Sequence, residues 1–108
     1  MLEIKTLDQT MLVCPKCDLD MVSAKVFKET VDAYLLMNPQ IKILEIDLRE
    51  VSFIDSSGLG AIIGRYKNML LRQGTLVLSH PQANIRRLLE MSGLKKLLPP
   101  MQASKEVL

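Results

Sequence analysis

Two short stretches of this sequence combine side chains that can do chemistry. The first is Cys14-Pro15-Lys16-Cys17. A thiol pair at this spacing serves redox exchange when the first thiol stands at a helix N-terminus, where the dipole lowers its pKa, and serves zinc when further ligands complete a tetrahedron. Here the pair follows an apolar, strand-like stretch, Thr10 to Val13. His80 is the only histidine, which leaves a zinc site one ligand short unless a carboxylate joins it or two chains share it. The plainer reading is a pair of small residues at a strand end.

The second stretch is Phe53-Ile54-Asp55-Ser56-Ser57-Gly58-Leu59-Gly60, where small polar residues join a strand to a helix. At a helix start the backbone N–H groups lack partners and the dipole is positive, so negative charge is favoured there. Asp55, Ser56 or Ser57 can act simply as the N-cap. Two consecutive serines exceed what capping needs, which leaves one hydroxyl free for another task. Three chemistries compete for it. Gly58-x-Gly60 followed by Gly64 is a displaced version of the dinucleotide-binding pattern, and the next strand ends in Ser79-His80 where an acidic ribose ligand belongs. A serine hydrolase wants Gly-x-Ser-x-Gly, which is absent, and its base would have to be His80. The third is a serine hydroxyl at the helix N-terminus that accepts a phosphoryl group from a separate kinase.

The elements that position these residues are legible in the periodicity. Leu2 to Thr6 and Thr10 to Cys14 read as strands joined at Leu7-Asp8-Gln9, with Pro15 marking an edge or a bulge. Ala24, Phe27, Val31, Tyr34 and Leu35 recur at helical spacing until Asn38-Pro39. Ile41 to Leu48 alternates as a half-buried strand, and Val51 to Ile54 extends the chain toward Asp55. Leu59, Ile62, Ile63, Tyr66 and Leu70 mark a second helix closed by Gln73-Gly74, with the glycine in its usual C-terminal place. Thr75 to Ser79 is a strand. Pro81 opens a third helix in its first turn, with Ile85, Leu88 and Leu89 inward and Gly93 at its end. This order predicts an α/β fold: a mixed sheet of four to five strands with crossover helices on one face.

Composition sets the outer limits. The chain has 108 residues, room for a single domain, here taken as 1–108. With 48% hydrophobic and 24% charged residues it can bury a core, and 4% aromatics make that core aliphatic. No apolar run approaches the roughly 20 residues of a spanning helix, and the N-terminus lacks a signal-peptide profile, so a soluble, cytoplasmic protein without membrane contact is expected. Charge is divided along the chain: residues 1–55 carry 10 acids and 6 bases, residues 56–108 carry 2 acids and 8 bases. The cations Arg65, Lys67, Arg72, Arg86, Arg87, Lys95 and Lys96 lie on several segments without interleaved aromatics. They read as a solvated surface rather than a nucleic-acid face. Phe53 and Tyr66 read as core residues, and the seven methionines as gap fillers.

Asp55-Ser56-Ser57-Gly58-Leu59-Gly60, Gly64-Arg65-Tyr66-Lys67 and Met91-Ser92-Gly93-Leu94 together resemble the STAS-domain anti-sigma factor antagonists, and Asp18-Leu19-Asp20 resembles that family's acidic turn before its first helix. The Gly-Arg-Tyr-Lys run is most similar to the sporulation subfamily. The resemblance implies a STAS fold and a regulator, not an enzyme, that needs no cofactor. Its unphosphorylated form would bind an anti-sigma factor serine kinase and free the sigma factor. Phosphorylation at Ser56 would end that binding, and a serine phosphatase would restore it. Asp20 would contact the kinase, with Asp55, Ser57 and Gly58 beside the acceptor. Two other readings are a STAS regulator with another output, such as stress, biofilm or secretion, and a Cys14/Cys17 redox or metal module. Cys17 stands where the family commonly has glycine. After Gly93-Leu94 only Leu97 to Met101 and the tail Gln102 to Leu108 remain for the family's closing strand and helix, so a shortened final helix is expected.

Overall fold

Met11 and Val13, Leu44 and Ile46, and Leu76 and Leu78 alternate with less buried residues and are almost completely shielded from solvent. That period of two makes three strands share one apolar face. The computed structural model describes residues 1–99. Its elements are β1 (Leu2–Leu7), β2 (Thr10–Pro15), α1 (Met21–Met37), β3 (Ile43–Asp47), α2 (Ser56–Leu71), β4 (Thr75–Ser79), α3 (Ala83–Met91) and a closing 3-10 turn, Lys95–Leu97. The sheet order is β1-β2-β3-β4. β1 and β2 are antiparallel across a two-residue turn, and β3 and β4 join β2 in parallel through the α1 and α2 crossovers.

Phe27 and Val31 of α1, Ile62 and Met69 of α2, and Ile85 and Leu89 of α3 share the core with that apolar face. The helices therefore cover one side of the sheet, and the core is aliphatic apart from Phe27. The opposite side carries Lys5, Leu12, Glu45 and Val77 in one cross-strand row. Ser79 donates a 2.7 Å hydrogen bond to Glu45 on this side.

The sheet has four strands, within the expected four to five, and Val51 to Ile54 forms a loop with one bridge residue, Ile54. Several local expectations are corrected. α2 begins at Ser56, three residues before the apolar spacing shows it, because Asp55 caps the helix there. Pro81 lies before α3, whose N-cap Gln82 makes no side-chain cap bond. At the end of α2 the left-handed residue is Gln73 (φ 61°), not Gly74. Gly74 is needed for another reason: a Cβ there would sit 2.4 Å from the Lys42 carbonyl oxygen. Pro15 is the last residue of an inner strand, beyond the final β2–β3 pair Val13–Ile46, so its missing N–H breaks no ladder. Leu97 lies in the closing turn and Leu98 leaves it in an extended conformation; Met101 and the tail, where the shortened final helix was expected, fall outside the described residues.

Candidate functional site

α1 and α2 begin side by side because the loops that feed them are stitched together. The Leu19 N–H donates to the Phe53 carbonyl at 3.0 Å, and the Asp55 N–H donates to the Leu19 carbonyl at 3.1 Å. These bonds form an isolated parallel bridge between Leu19 and Ile54. Asp18 strengthens it: its Oδ1 accepts from the Ser52 N–H (2.7 Å), the Ser52 hydroxyl (2.9 Å) and the Phe53 N–H (3.1 Å). The Ser52 amide, followed by the Ser52 hydroxyl, holds the Asp18 carboxyl below its ordinary value. The bridge sets two helix N-termini next to each other, with Asp20 capping α1 and Asp55 capping α2.

The two caps differ in detail. Asp20 Oδ1 accepts from the amides of Val22 (3.0 Å) and Ser23 (2.9 Å), and the Ser23 hydroxyl lies 2.9 Å from the Asp20 N–H that it accepts. The Ser23 amide, then the Ser23 hydroxyl, lowers the pKa of Asp20. Asp55 Oδ1 accepts one bond, from the Gly58 N–H at 2.9 Å. The Ser56 and Ser57 amides occupy the first two helical positions, where no carbonyl of the helix can accept from them. Ser56 is exposed and Ser57 half-buried. No described residue hydrogen-bonds to either hydroxyl.

Gly58 is buried, and a Cβ on it would lie 2.5 Å from the Leu19 carbonyl oxygen and 2.8 Å from Leu19 Cβ. Gly58, expected beside the acceptor, is the residue that lets α2 approach residue 19. The structure thus brings Asp20, Asp55, Ser56 and Ser57 to one corner, with Gly58 beneath them. Phe53 is a correction: its ring is 54% exposed next to Asp55 rather than in the core. Arg65 is another, being 5% exposed between α1 and α2 rather than on a solvated face. Its position eight residues after Ser57, on a helix stripe with the small Ala61, is the signal that marks it as inward-facing. Sequence reasoning also missed the tying role of Asp18. Tyr66 packs against the core as expected, with the Lys96 ammonium 5.4 Å from its ring centre.

The competing chemistries find less support in this geometry. Gly58, Gly60 and Gly64 all lie inside α2, so no glycine loop precedes the helix to cradle a pyrophosphate. Cys14 and Cys17 are both free thiols. Burial, and then the neighbouring Asp47 carboxylate, push the Cys14 thiol up, away from a reactive thiolate. The Cys17 thiol instead meets Met1 Sδ at 3.2 Å. Among the described residues no three His, Cys, Asp or Glu side chains converge on a metal position, and no helix is long and apolar enough to cross a membrane.

The sequence profile of the STAS domain matches residues 1–107. The anti-sigma-B factor antagonist of Listeria monocytogenes is 37% identical over 84 residues, covering 75% of this chain and 69% of that protein. Among solved structures, the anti-sigma factor antagonist SpoIIAA in its unphosphorylated form superimposes with a TM-score of 0.83 at 18% identity, covering 99% of this chain and 93% of that one. The Bacillus cell fate determinant SpoIIAA in the phosphorylated form superimposes with a TM-score of 0.75 at 18% identity, covering 99% and 96%.

Proposed function

The chain belongs to the STAS domain family, among its anti-sigma factor antagonists, and from that premise we propose that Ser56 is the phosphoryl acceptor of a partner switch. The unphosphorylated protein binds an anti-sigma factor serine kinase in the cytoplasm and releases the sigma factor. The kinase transfers the γ-phosphoryl group of ATP to Ser56 Oγ, whose proton is lost, and ADP departs. A serine phosphatase later returns the hydroxyl by hydrolysis. One observation carries the assignment: Ser56 is the exposed hydroxyl at the open N-terminus of α2, with no hydrogen-bond partner among the described residues.

The switch needs no refolding. Phosphorylation adds about −1.5 to −2 charges beside Asp55 on a surface that must shed water to dock. The α2 dipole and the free Ser56 and Ser57 amides stabilise that charge in the unbound protein. A partner shaped around a neutral hydroxyl leaves it unpaired. A differential of about 3 kcal/mol weakens binding roughly a hundredfold, enough when the partners work near their dissociation constant. Asp20 can join the contact without giving up its cap, because Oδ1 makes all of its capping bonds. Ser57 and Asp55 flank the acceptor.

The test is intact and peptide mass spectrometry after incubation with ATP and the anti-sigma factor kinase of the same genome. One phosphate on Ser56, absent in Ser56→Ala and retained in Ser57→Ala, is the expected result. Phosphate on Ser57 alone, or none from a kinase active on another antagonist, overturns the assignment. Sporulation as the output is also a proposal, carried by the Gly64-Arg65-Tyr66-Lys67 run. Release of the sporulation sigma factor, and not of the stress one, from its kinase complex is the outcome that supports it.

A further inference from the structure

Beside the acceptor corner lies a groove of about 460 Å³, lined by Lys25, Lys28 and Glu29 of α1 and by Ser57, Gly60 and Arg65 of α2. Arg65 is nearly enclosed there. Its Nε and Nη1 are buried without a hydrogen-bond acceptor among the described residues. Asp32 Oδ1 lies 3.0 Å from Nε, close enough to attract but not aligned to accept, and that oxygen also accepts from Asn68 Nδ2 at 3.3 Å. A guanidinium cannot shed its charge; Asp32 offsets that charge, but the buried N–H groups keep unmet hydrogen-bonding capacity, which is unfavourable. It suits a planar oxyanion that accepts two parallel N–H bonds. Lys25 and Lys28 are exposed on the rim and outnumber the single rim carboxylate, Glu29.

We propose that this groove receives an acidic side chain, Asp or Glu, presented by the anti-sigma factor kinase that docks over Ser56. The inference rests on the partner-switch reading and adds the chemistry of the contact. Ser57, the residue after the acceptor, belongs to the groove wall, so a partner segment lying across Ser56 reaches the groove's mouth. Charge complementarity selects the occupant: the groove is cationic, whereas Asp20 and Asp55 make the adjoining corner anionic. The two together impose one orientation on the partner.

Zero-length carbodiimide coupling, which joins lysine amines to carboxylates in contact, tests this on the complex of the full chain with the kinase and ADP. Peptide mapping is expected to link Lys25 or Lys28 to an Asp or Glu of the kinase. Calorimetry is expected to show affinity reduced about tenfold or more in Lys25→Glu/Lys28→Glu with an unchanged melting temperature. Arg65→Lys, which keeps the charge and loses the fork, is expected to bind several-fold more weakly. If that variant does not fold, the lysine pair alone decides. Unchanged affinity of the lysine pair, or coupling confined to other lysines, overturns the proposal while Ser56 chemistry stands. If instead the phosphorylated protein gains thermal stability that Lys25→Glu/Lys28→Glu removes, and kinase affinity is unaltered, the groove holds the protein's own phosphate and the proposal fails. If the unsubstituted protein does not bind the kinase, both readings fall.

Discussion

The N-termini of α1 and α2 share an aspartate at the cap, followed by Met21-Val22-Ser23 in one and Ser56-Ser57-Gly58 in the other, and finish in different states. At α1, Asp20 and Ser23 satisfy each other's backbone in a reciprocal box. At α2 the residue three beyond the cap is Gly58, which has no side chain to return. The Asp55 N–H turns instead to the Leu19 carbonyl, and that same oxygen occupies the space a Cβ on Gly58 would need. One helix start is closed by its own residues. The other is tied to its neighbour and left open at Ser56 and Ser57. The difference teaches that an anion-ready helix start is made by withholding a cap partner as much as by supplying a hydroxyl.

The contrast can be broken most severely at Gly58. Gly58→Ala forces the Leu19 backbone away and is expected to destabilise the fold by about 1–3 kcal/mol in urea denaturation, because the clash is with main chain rather than a movable side-chain tip. Asp55→Ala removes the one cap bond of α2 and is expected to lower stability by about 1 kcal/mol, with Asp55→Asn retaining most of it. Unchanged stability in Asp55→Ala would mean that Asp55 does not hold the helix start.

Acid sharpens the comparison at the stitch between the helices. The folded pKa of Asp18 lies below its ordinary value of 3.8. Its contribution is therefore complete above that value and is lost as pH falls through the lower, folded one. Asp18→Asn is expected to flatten the decline in melting temperature below about pH 4. A wild-type decline in that variant would assign the acid sensitivity to other carboxylates. The smallest effect on folding belongs to Ser56→Ala, expected to shift stability by less than about 0.5 kcal/mol because nothing described bonds to its hydroxyl. Asp20→Asn, which preserves the α1 cap, is expected to keep the melting temperature and lose kinase affinity; unchanged affinity would confine Asp20 to capping.

Much of this arrangement was legible before any coordinates. The alternation in Leu44, Ile46, Leu76 and Leu78 marked the strands, and the helical spacing through Phe27, Val31 and Leu35 marked α1. Both report a single buried face per element. The Asp-Ser-Ser-Gly run announced a helix start with a spare hydroxyl. Phe53 escaped because its backbone, not its ring, does the structural work: its N–H and carbonyl join the stitch while the ring is left outside. Arg65 escaped because charge predicts exposure only when nothing encloses the side chain, and here α1 lies against it. The mistaken role for Gly74 has the same origin, since a glycine required for close approach looks, in sequence, like one required for a turn.

What the sequence determined alone was local: which segments are strands or helices, and where a spare serine hydroxyl meets a helix start. Those properties follow from periodicity and capping chemistry, which act over a few residues. Only the tertiary structure decided that Leu19 and Ile54, 35 positions apart, form the bridge that aligns the two helix starts. It alone enclosed a guanidinium beside one of them, because a cation's neighbours across a helix interface are set by how α1 and α2 pack, not by the residues adjacent to it in the chain.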